Sequence, residues 1–457
     1  MSLHRFGVGT LFCYLESNTT VSRALCYPPP KFPKFPKLSK LPKLPKLPNA
    51  STPPLKNLQI ILIWEFNFLL LTLSYKTQLT LTQPNKSMGL KIYSPLLDKC
   101  DSLAVSIAKA LNNIPIDRIC GLVFCGVSEE MSYHQLLGSI KGVVYDLLCK
   151  KVPVTLIPQY LLPEGGLSLQ IYTLEGDAEI AFGERNGVCY GVLGNDEERM
   201  LFIEGIPASD FAYSVKKQSA EVFDKLDDLL TAYNFEVDDI VRQWNYIGSI
   251  VSYRDGKQNY QEFNDARTRY YAKGAWGNGY PAATGIGAEG NCIVVGGIAF
   301  KNSTTKAVYP IDNPLQVAAH VYSKRVLIDD DADAMKSTPK FERAKLIETA
   351  RGACCFVSGT AAIRGEESVD ASSAKMQTIK TIENIEYLVS KENLVRFGSK
   401  PYELHYATLQ VFIKHAEDYE EIRQVVEHYY TDIPIIYSIA DVCRSELLVE
   451  IEGILIS

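Results

Sequence analysis

The sequence predicts an α+β protein in which two tandem copies of one unit follow an N-terminal α/β segment. Three observations carry that prediction. Six sequence blocks recur twice in the same order, one block of each copy has apolar residues at helical spacing, and others are β-branched and aromatic runs of strand length.

Residues 1–87 stand apart from the rest. The stretch KFPKFPKLSKLPKLPKLP at residues 31–48 repeats lysine, an apolar residue and proline. Proline at that frequency excludes helix and favours extended polyproline II, so a linker or low-complexity tract is expected. LQIILIWEFNFLLLTL at residues 58–73 is apolar but short for a membrane span, and Glu65 and Asn67 sit in its middle. It also begins far from the N-terminus and lacks a small-residue cleavage site, unlike a signal peptide. Met88, opening MGLKIYSPLL, is the expected true start of the protein, with residues 1–87 a start assigned too far upstream. Residues 88–171 read as an α/β segment with no evident place in the repeat.

The first copy, residues 172–335, contains MLFIEGIPAS, QSAEVFDKLDDLLTAY, VDDIVRQWNYIGSI, NYQEFNDARTRYY, GYPAATGIGA and NCIVVGGIAF. The second, residues 336–457, contains CCFVSGTAAI, KMQTIKTIENIEYLV, YELHYATLQVFIKH, DYEEIRQVVEHYY, DIPIIYSIAD and ELLVEIEGIL. Val222, Phe223, Leu226, Leu229 and Leu230 follow helical spacing, as do Met376, Ile379, Ile382, Ile385 and Val389. The blocks around Phe263 and Val425 read as second helices, and WNYIGSI, YATLQVFI and LLVEIEGIL as strands. Each copy is therefore expected as ββαβαβ with its helices on one sheet face. GAWGNGYPAATGIGAEG, residues 274–290, is glycine-rich but lacks the G-K-[ST] ending of a phosphate loop, and reads as loop and turn ahead of the last strand of the first copy.

Composition narrows the function classes. Apolar residues make up 46% of the 457, enough for a sizeable core. A net charge of -6 provides no overall basic field, so nucleic acid is not an expected partner. The 11 cysteines form no repeated C-x-x-C, and the 6 histidines no H-x-x-x-H. Reduced thiols, no metal and a cytoplasmic setting are expected, with no membrane association for residues 88–457.

Particular residues carry a family resemblance. Val357-Ser358-Gly359 ends a strand, Gln377-Thr378 opens a helix, and Asn384-Ile385 follows a turn and a half later, an order that resembles the Rid (reactive intermediate deaminase) superfamily. Rid deaminases place an arginine two residues after a proline to bind a carboxylate. Here those stretches read Pro281-Ala282-Ala283-Thr284 and Pro434-Ile435-Ile436-Tyr437, so both copies lack it. Residues 88–457 as a whole are similar to the chorismatase family, through Asn313-Pro314-Leu315-Gln316 with Tyr322, Pro339-Lys340-Phe341-Glu342-Arg343-Ala344, FVSGTA, Asp441-Val442-Cys443-Arg444 and the closing L-V-E-I-E. The resemblance implies tandem Rid-like units with a chorismate-mutase-like α+β topology. It also implies a cofactor-independent enzyme that cleaves chorismate to pyruvate and a ring carboxylate, working as a monomer with its site between units.

Chorismate carries two carboxylates and an enol ether, so its cleavage calls for guanidinium groups and a proton donor. In LLVEIEG, period-2 alternation puts Leu448, Glu450 and Glu452 on one strand face, and a pocket on that face would raise a carboxyl pKa by desolvation. Either glutamate qualifies on spacing alone. The resemblance maps the family's catalytic glutamate to Glu450, opposite Val295 in the first copy. Cys443, seven residues earlier, resembles the subtype that eliminates water and releases 3-hydroxybenzoate, whereas the hydrolytic subtype leaves a dihydroxycyclohexadiene carboxylate. Arg267 and Arg444 are the expected carboxylate clamps and Arg364 a third. Tyr322 would offer a hydroxyl near the ring, and Gly359 a close backbone approach. Two other readings stay open: an imine deaminase or endoribonuclease-labelled Rid protein, and a non-catalytic binder of small aromatic acids.

Overall fold

The computed structural model describes residues 88–457 apart from 99–100, 196, 255, 304–305 and 324–336. The lysine–proline tract and the apolar run at 58–73 lie outside the described residues. Three sheets organise the rest.

The first sheet holds β1 (Gly89–Tyr93), β2 (Ile119–Gly126), β3 (Val154–Ile157) and β4 (Leu167–Glu175), with helices α1 (Leu103–Ala110) and α2 (Tyr133–Leu148) between them. The second holds β5 (Ile180–Arg185), β6 (Val188–Gly194), β7 (Glu198–Pro207), β8 (Ile240–Gly248), β9 (Ala282–Ala288) and β10 (Ile293–Asn302), with α3 (Val215–Ala232) and α4 (Asn259–Tyr271). The third holds β11 (Val308–Ile311), β12 (Ala344–Thr349), β13 (Gly352–Ala361), β14 (His405–Ile413), β15 (Ile435–Ile439) and β16 (Val449–Ile456). Its helices are α5 (Ala374–Leu388), α6 (Lys391–Arg396) and α7 (Tyr419–Tyr429), and the short strand Tyr160–Leu161 adds to its β15 edge.

The two complete sheets share one topology. Their spatial orders are β5-β6-β7-β10-β8-β9 and β11-β12-β13-β16-β14-β15, each with a single parallel pair, β8 with β9 and β14 with β15. Each unit is thus βββαβαββ, one strand longer at the front than the sequence predicts. The other added strand is β9, inside the glycine-rich stretch read as a loop. Glycine is needed there because a Cβ on Gly287 would lie 2.7 Å from the Asp441 backbone nitrogen, where the next unit approaches. Hydrogen bonding also places β11 in the third sheet, although residues up to 335 read as part of the first copy.

The N-terminal segment, which shows no repeat in its sequence, has the same core. Its order β1-β4-β2-β3, antiparallel except for β2 with β3, matches β7-β10-β8-β9, and its chain order βαβαββ matches as well. It is a third copy without the two leading strands.

Each helix buries the face its apolar spacing marks. Ser214 caps α3 by accepting from the Lys217 amide, and Val222, Phe223, Leu226, Leu229 and Leu230 pack with Phe263 of α4 against the second sheet. Ser373 caps α5 in the same way. The opposite faces of the sheets cover one another: Leu90 and Tyr172, Phe202 and Ile298, and Phe356 and Ile454 meet in one shared core. Strands buried on both faces lose the alternation of a half-wet sheet, as the uninterrupted burial of the first eight β10 residues shows.

A glutamine on the first long helix of each complete unit ties down the start of the last strand. Gln218 accepts from the Ile293 amide (3.0 Å) and donates to the Asn291 carbonyl (2.8 Å), while Gln377 accepts from the Leu448 amide (2.8 Å) and donates to the Glu446 carbonyl (2.9 Å). Gln218→Ala leaves a buried amide unpaired and is expected to lower unfolding stability by about 2 kcal/mol in urea titration, within the usual cost of an orphaned buried donor.

Candidate active site

Where the second unit meets the third, β9 and β13 are stitched through the V-S-G stretch, which lies within β13. The Ser358 hydroxyl accepts from the Ala283 amide (2.8 Å) and donates to the Glu342 carbonyl (2.6 Å), and the Gly359 amide donates to the Thr284 hydroxyl (3.0 Å). Beside this seam opens a cleft lined by residues of both units. One wall comes from α4 and β9, the other from the third unit.

Glu450 reaches the cleft from β16, paired between Ala361 of β13 and Phe412 of β14 in the interior of the seven-stranded sheet. It is 5% exposed. Burial, with the Glu452 carboxylate beside it, pushes its carboxyl up to about 8, although Arg343 and Arg242 pull the other way. A Cβ on Gly359 would stand 1.9 Å from Glu450 Oε1, so only glycine leaves the acid its place. The equivalent position in the second unit, Val295, is buried in an apolar cluster.

Arginines face this acid. Arg267 on α4 is 1% exposed and donates to Asn264 Oδ1 (2.6 Å), while its Nε has no hydrogen-bond partner among the described residues. Arg444 is held by the Glu366 carbonyl (2.9 Å) and the Ser368 hydroxyl (3.2 Å), with its guanidinium 5.3 Å from the Tyr322 ring centre. Cys443 lies on the same wall; burial first, then the charge of Glu450, pushes its thiol up to about 12, so it is a neutral S–H group at ordinary pH. Guanidinium donors around one protonated carboxyl form a site for a small polyanion that accepts a proton.

Six of the seven predicted site residues line this cleft: Glu450, Cys443, Arg267, Arg444, Tyr322 and Gly359. Arg364 does not. It lies on the short strand Ile363–Arg364 and pairs with Glu383 of α5 at 2.8 Å. Sequence reasoning missed Arg343, which is 3% exposed, donates to the Tyr322 hydroxyl (2.6 Å) and has an unpartnered Nε among the described residues. The signal was present, since Arg343 stands in the P-K-F-E-R-A stretch already marked. Tyr260 and Asn264 were missed too, although they share a helix face with Arg267 at spacings of seven and three residues.

The structure separates the two glutamates. Glu452 points into a second cavity, of about 530 Å³, walled mainly by apolar side chains of all three units, and it is bound by Arg242 (2.6 Å) and Trp244 (3.0 Å). That cavity offers no array of arginines. At the seam between the first and second units Glu204 is held by Lys141 (2.8 Å) and the Cys189 amide (2.8 Å), and the Gly205 amide donates to Thr155 (2.7 Å) as Gly359 does to Thr284. Among the described residues there is no cluster suited to a metal and no helix long and apolar enough to cross a membrane.

A chain of tandem α+β units with one acid-and-arginine cleft at a unit seam is the class defined by fold and site. Residues 175–299 match the family model described as the N-terminal part of FkbO/Hyg5-like chorismatases. The chain is 31% identical to a 3-hydroxybenzoate synthase of Streptomyces hygroscopicus over 290 residues, 61% of this chain and 79% of that one. It is also 31% identical to a chorismatase of Streptomyces rapamycinicus, across 52% of this chain and 69% of that one. A chorismatase crystal structure superposes with a TM-score of 0.60 at 20% identity, covering 80% of this chain and 99% of the other. The chain belongs to the chorismatase family.

Glu450 should hold its proton at neutral pH. A carboxyl C=O infrared band present at pH 7, lost as pH rises through about 8 and absent from Glu450→Gln is the expected observation.

Proposed function

We propose that this protein cleaves the enolpyruvyl ether of chorismate, releasing pyruvate, with Glu450 as proton donor. The observation that carries the reading is a single buried, protonated carboxyl facing arginines across a unit seam, in a chain of the chorismatase family. Arg267, Arg343 and Arg444 bind the two carboxylates and fix the ring relative to the acid.

Glu450 gives its proton to the methylene carbon of the enol ether, and the ether carbon becomes an oxocarbenium centre. Water adds there, and the resulting hemiketal breaks its bond to the ring oxygen, yielding pyruvate and a ring alcohol. The proton lost by the water returns to Glu450. The ring product at this stage is the dihydroxycyclohexadiene carboxylate, and loss of one water from it gives 3-hydroxybenzoate. We favour the second product, because Cys443 stands in the cleft as a neutral thiol that can touch the ring without attacking it. No step requires a cofactor. Both walls come from one chain, which supports activity as a monomer, and the free described cysteines support a cytoplasmic setting.

Incubation with chorismate, with pyruvate followed by a coupled assay and ring products by chromatography, tests the reading. Turnover is expected below pH 8 and is lost as pH rises through about 8, because the acid works only while protonated. Glu450→Gln is expected to lose about 10²–10⁴-fold in kcat, the usual worth of a general acid, while still binding chorismate. A protein that binds chorismate but never releases pyruvate would be a binding module instead. Cys443→Ala is expected to shift the product from 3-hydroxybenzoate towards the diene diol.

A further inference from the structure

Glu450 is not the only buried acid on its strand face. Glu452 follows two residues later, is 6% exposed, and projects to the same side of β16, about 7 Å along the strand. All its donors come from the second unit. Arg242 Nη2 (2.6 Å) and Trp244 Nε1 (3.0 Å), both on β8, and the Thr284 hydroxyl on β9 hold the carboxylate. Arg242 is 1% exposed, its guanidinium lies 4.7 Å from the Trp244 ring centre, and its Nε and Nη1 have no partner among the described residues.

Thr284 connects this cluster to the cleft. Its oxygen accepts from Arg242 Nη2 (2.8 Å) and from the Gly359 amide (3.0 Å), and Gly359 is the residue against which the Glu450 carboxyl rests. A fixed carboxylate therefore stands behind the acid on a shared strand, and a threonine bridge clamps the backbone that backs the acid.

We propose that Glu452, clamped by Arg242, Trp244 and Thr284, is a positioning residue that acts on Glu450 and sets the upper end of the pH range in which the cleft works. The proposal rests on Glu450 being the proton donor. Two effects point the same way: the anion on the strand disfavours a second negative charge at Glu450, and it occupies Arg242, which would otherwise favour one. Other titratable or charged groups on the cleft walls are Arg343 ahead of β12, Tyr260 and Arg267 on α4, Cys443 and Arg444 ahead of β16, and Tyr322. None of them changes in the variants below.

The test is the pH dependence of kcat for full-length wild type, Glu452→Gln and Glu452→Asp, alongside infrared titration of the Glu450 carboxyl with Glu450→Gln as blank. Glu452→Gln is expected to move the alkaline limb and the carboxyl titration down by about one pH unit or more, the scale of a neighbouring charge. Glu452→Asp keeps the charge and should restore most of that shift. If Glu452→Gln does not fold, Arg242→Gln with Glu452→Gln removes both charges, leaves no lone buried ion, and should shift the limb the same way by less. A rate that falls equally at every pH with the limb unmoved, or a limb that moves up, overturns the proposal. The infrared titration needs no turnover, so it decides the action of Glu452 on Glu450 even where absence of chorismate cleavage sinks the functional reading.

Discussion

Each sheet has helices on one face, and its other face is buried as well. That second face has nowhere to go but onto the corresponding faces of the other sheets, where Leu90, Tyr172, Phe202, Phe356 and Ile454 form one shared core. Three units of one topology must therefore lie side by side within a single chain. At the seam between the second and third units, edge strand β9 meets β13 where the β13 pairing with β16 is irregular, and backbone groups are satisfied across the boundary by Ser358 and Thr284.

Differentiation of the seams follows from single residues. At one seam Glu204 is paired with Lys141 and accepts from the Val154 and Cys189 amides. At the other a cleft is kept open by Gly359 and Gly285, on which a Cβ would meet Glu450 or Tyr260, and arginines line it. Removing water from a carboxyl costs more for the charged form than for the neutral one, so the open seam holds a protonated acid without any metal-like device. Two residues along the same strand, Glu452 is instead paired with Arg242.

Much of this was legible beforehand where local chemistry decides structure. Helical spacing and serine caps mark α3 and α5, β-branched runs mark β8, β14 and β16, and the six recurring blocks mark the two complete units. The strand β9 was hidden because its glycines serve a close approach to the Asp441 segment rather than a turn, and composition does not distinguish the two. The third copy of the unit was hidden because residues 88–175 keep the topology while sharing no recognisable side-chain pattern with the others.

For the site, the sequence by itself determined the residue types that can do the chemistry: alternation puts Glu450 and Glu452 on one face, helical spacing puts Tyr260, Asn264 and Arg267 on another, and a family motif marks Cys443 and Arg444. Only the tertiary structure decided which of them meet. Period-2 alternation is blind to what covers a face, so it could not separate an acid facing a cleft from an acid facing Arg242; nor could it show that Arg364 turns to Glu383 while Arg343 turns inward to Tyr322. Those choices depend on contacts between residues far apart in the chain, 210 positions for Arg242 and Glu452, and no local pattern encodes them.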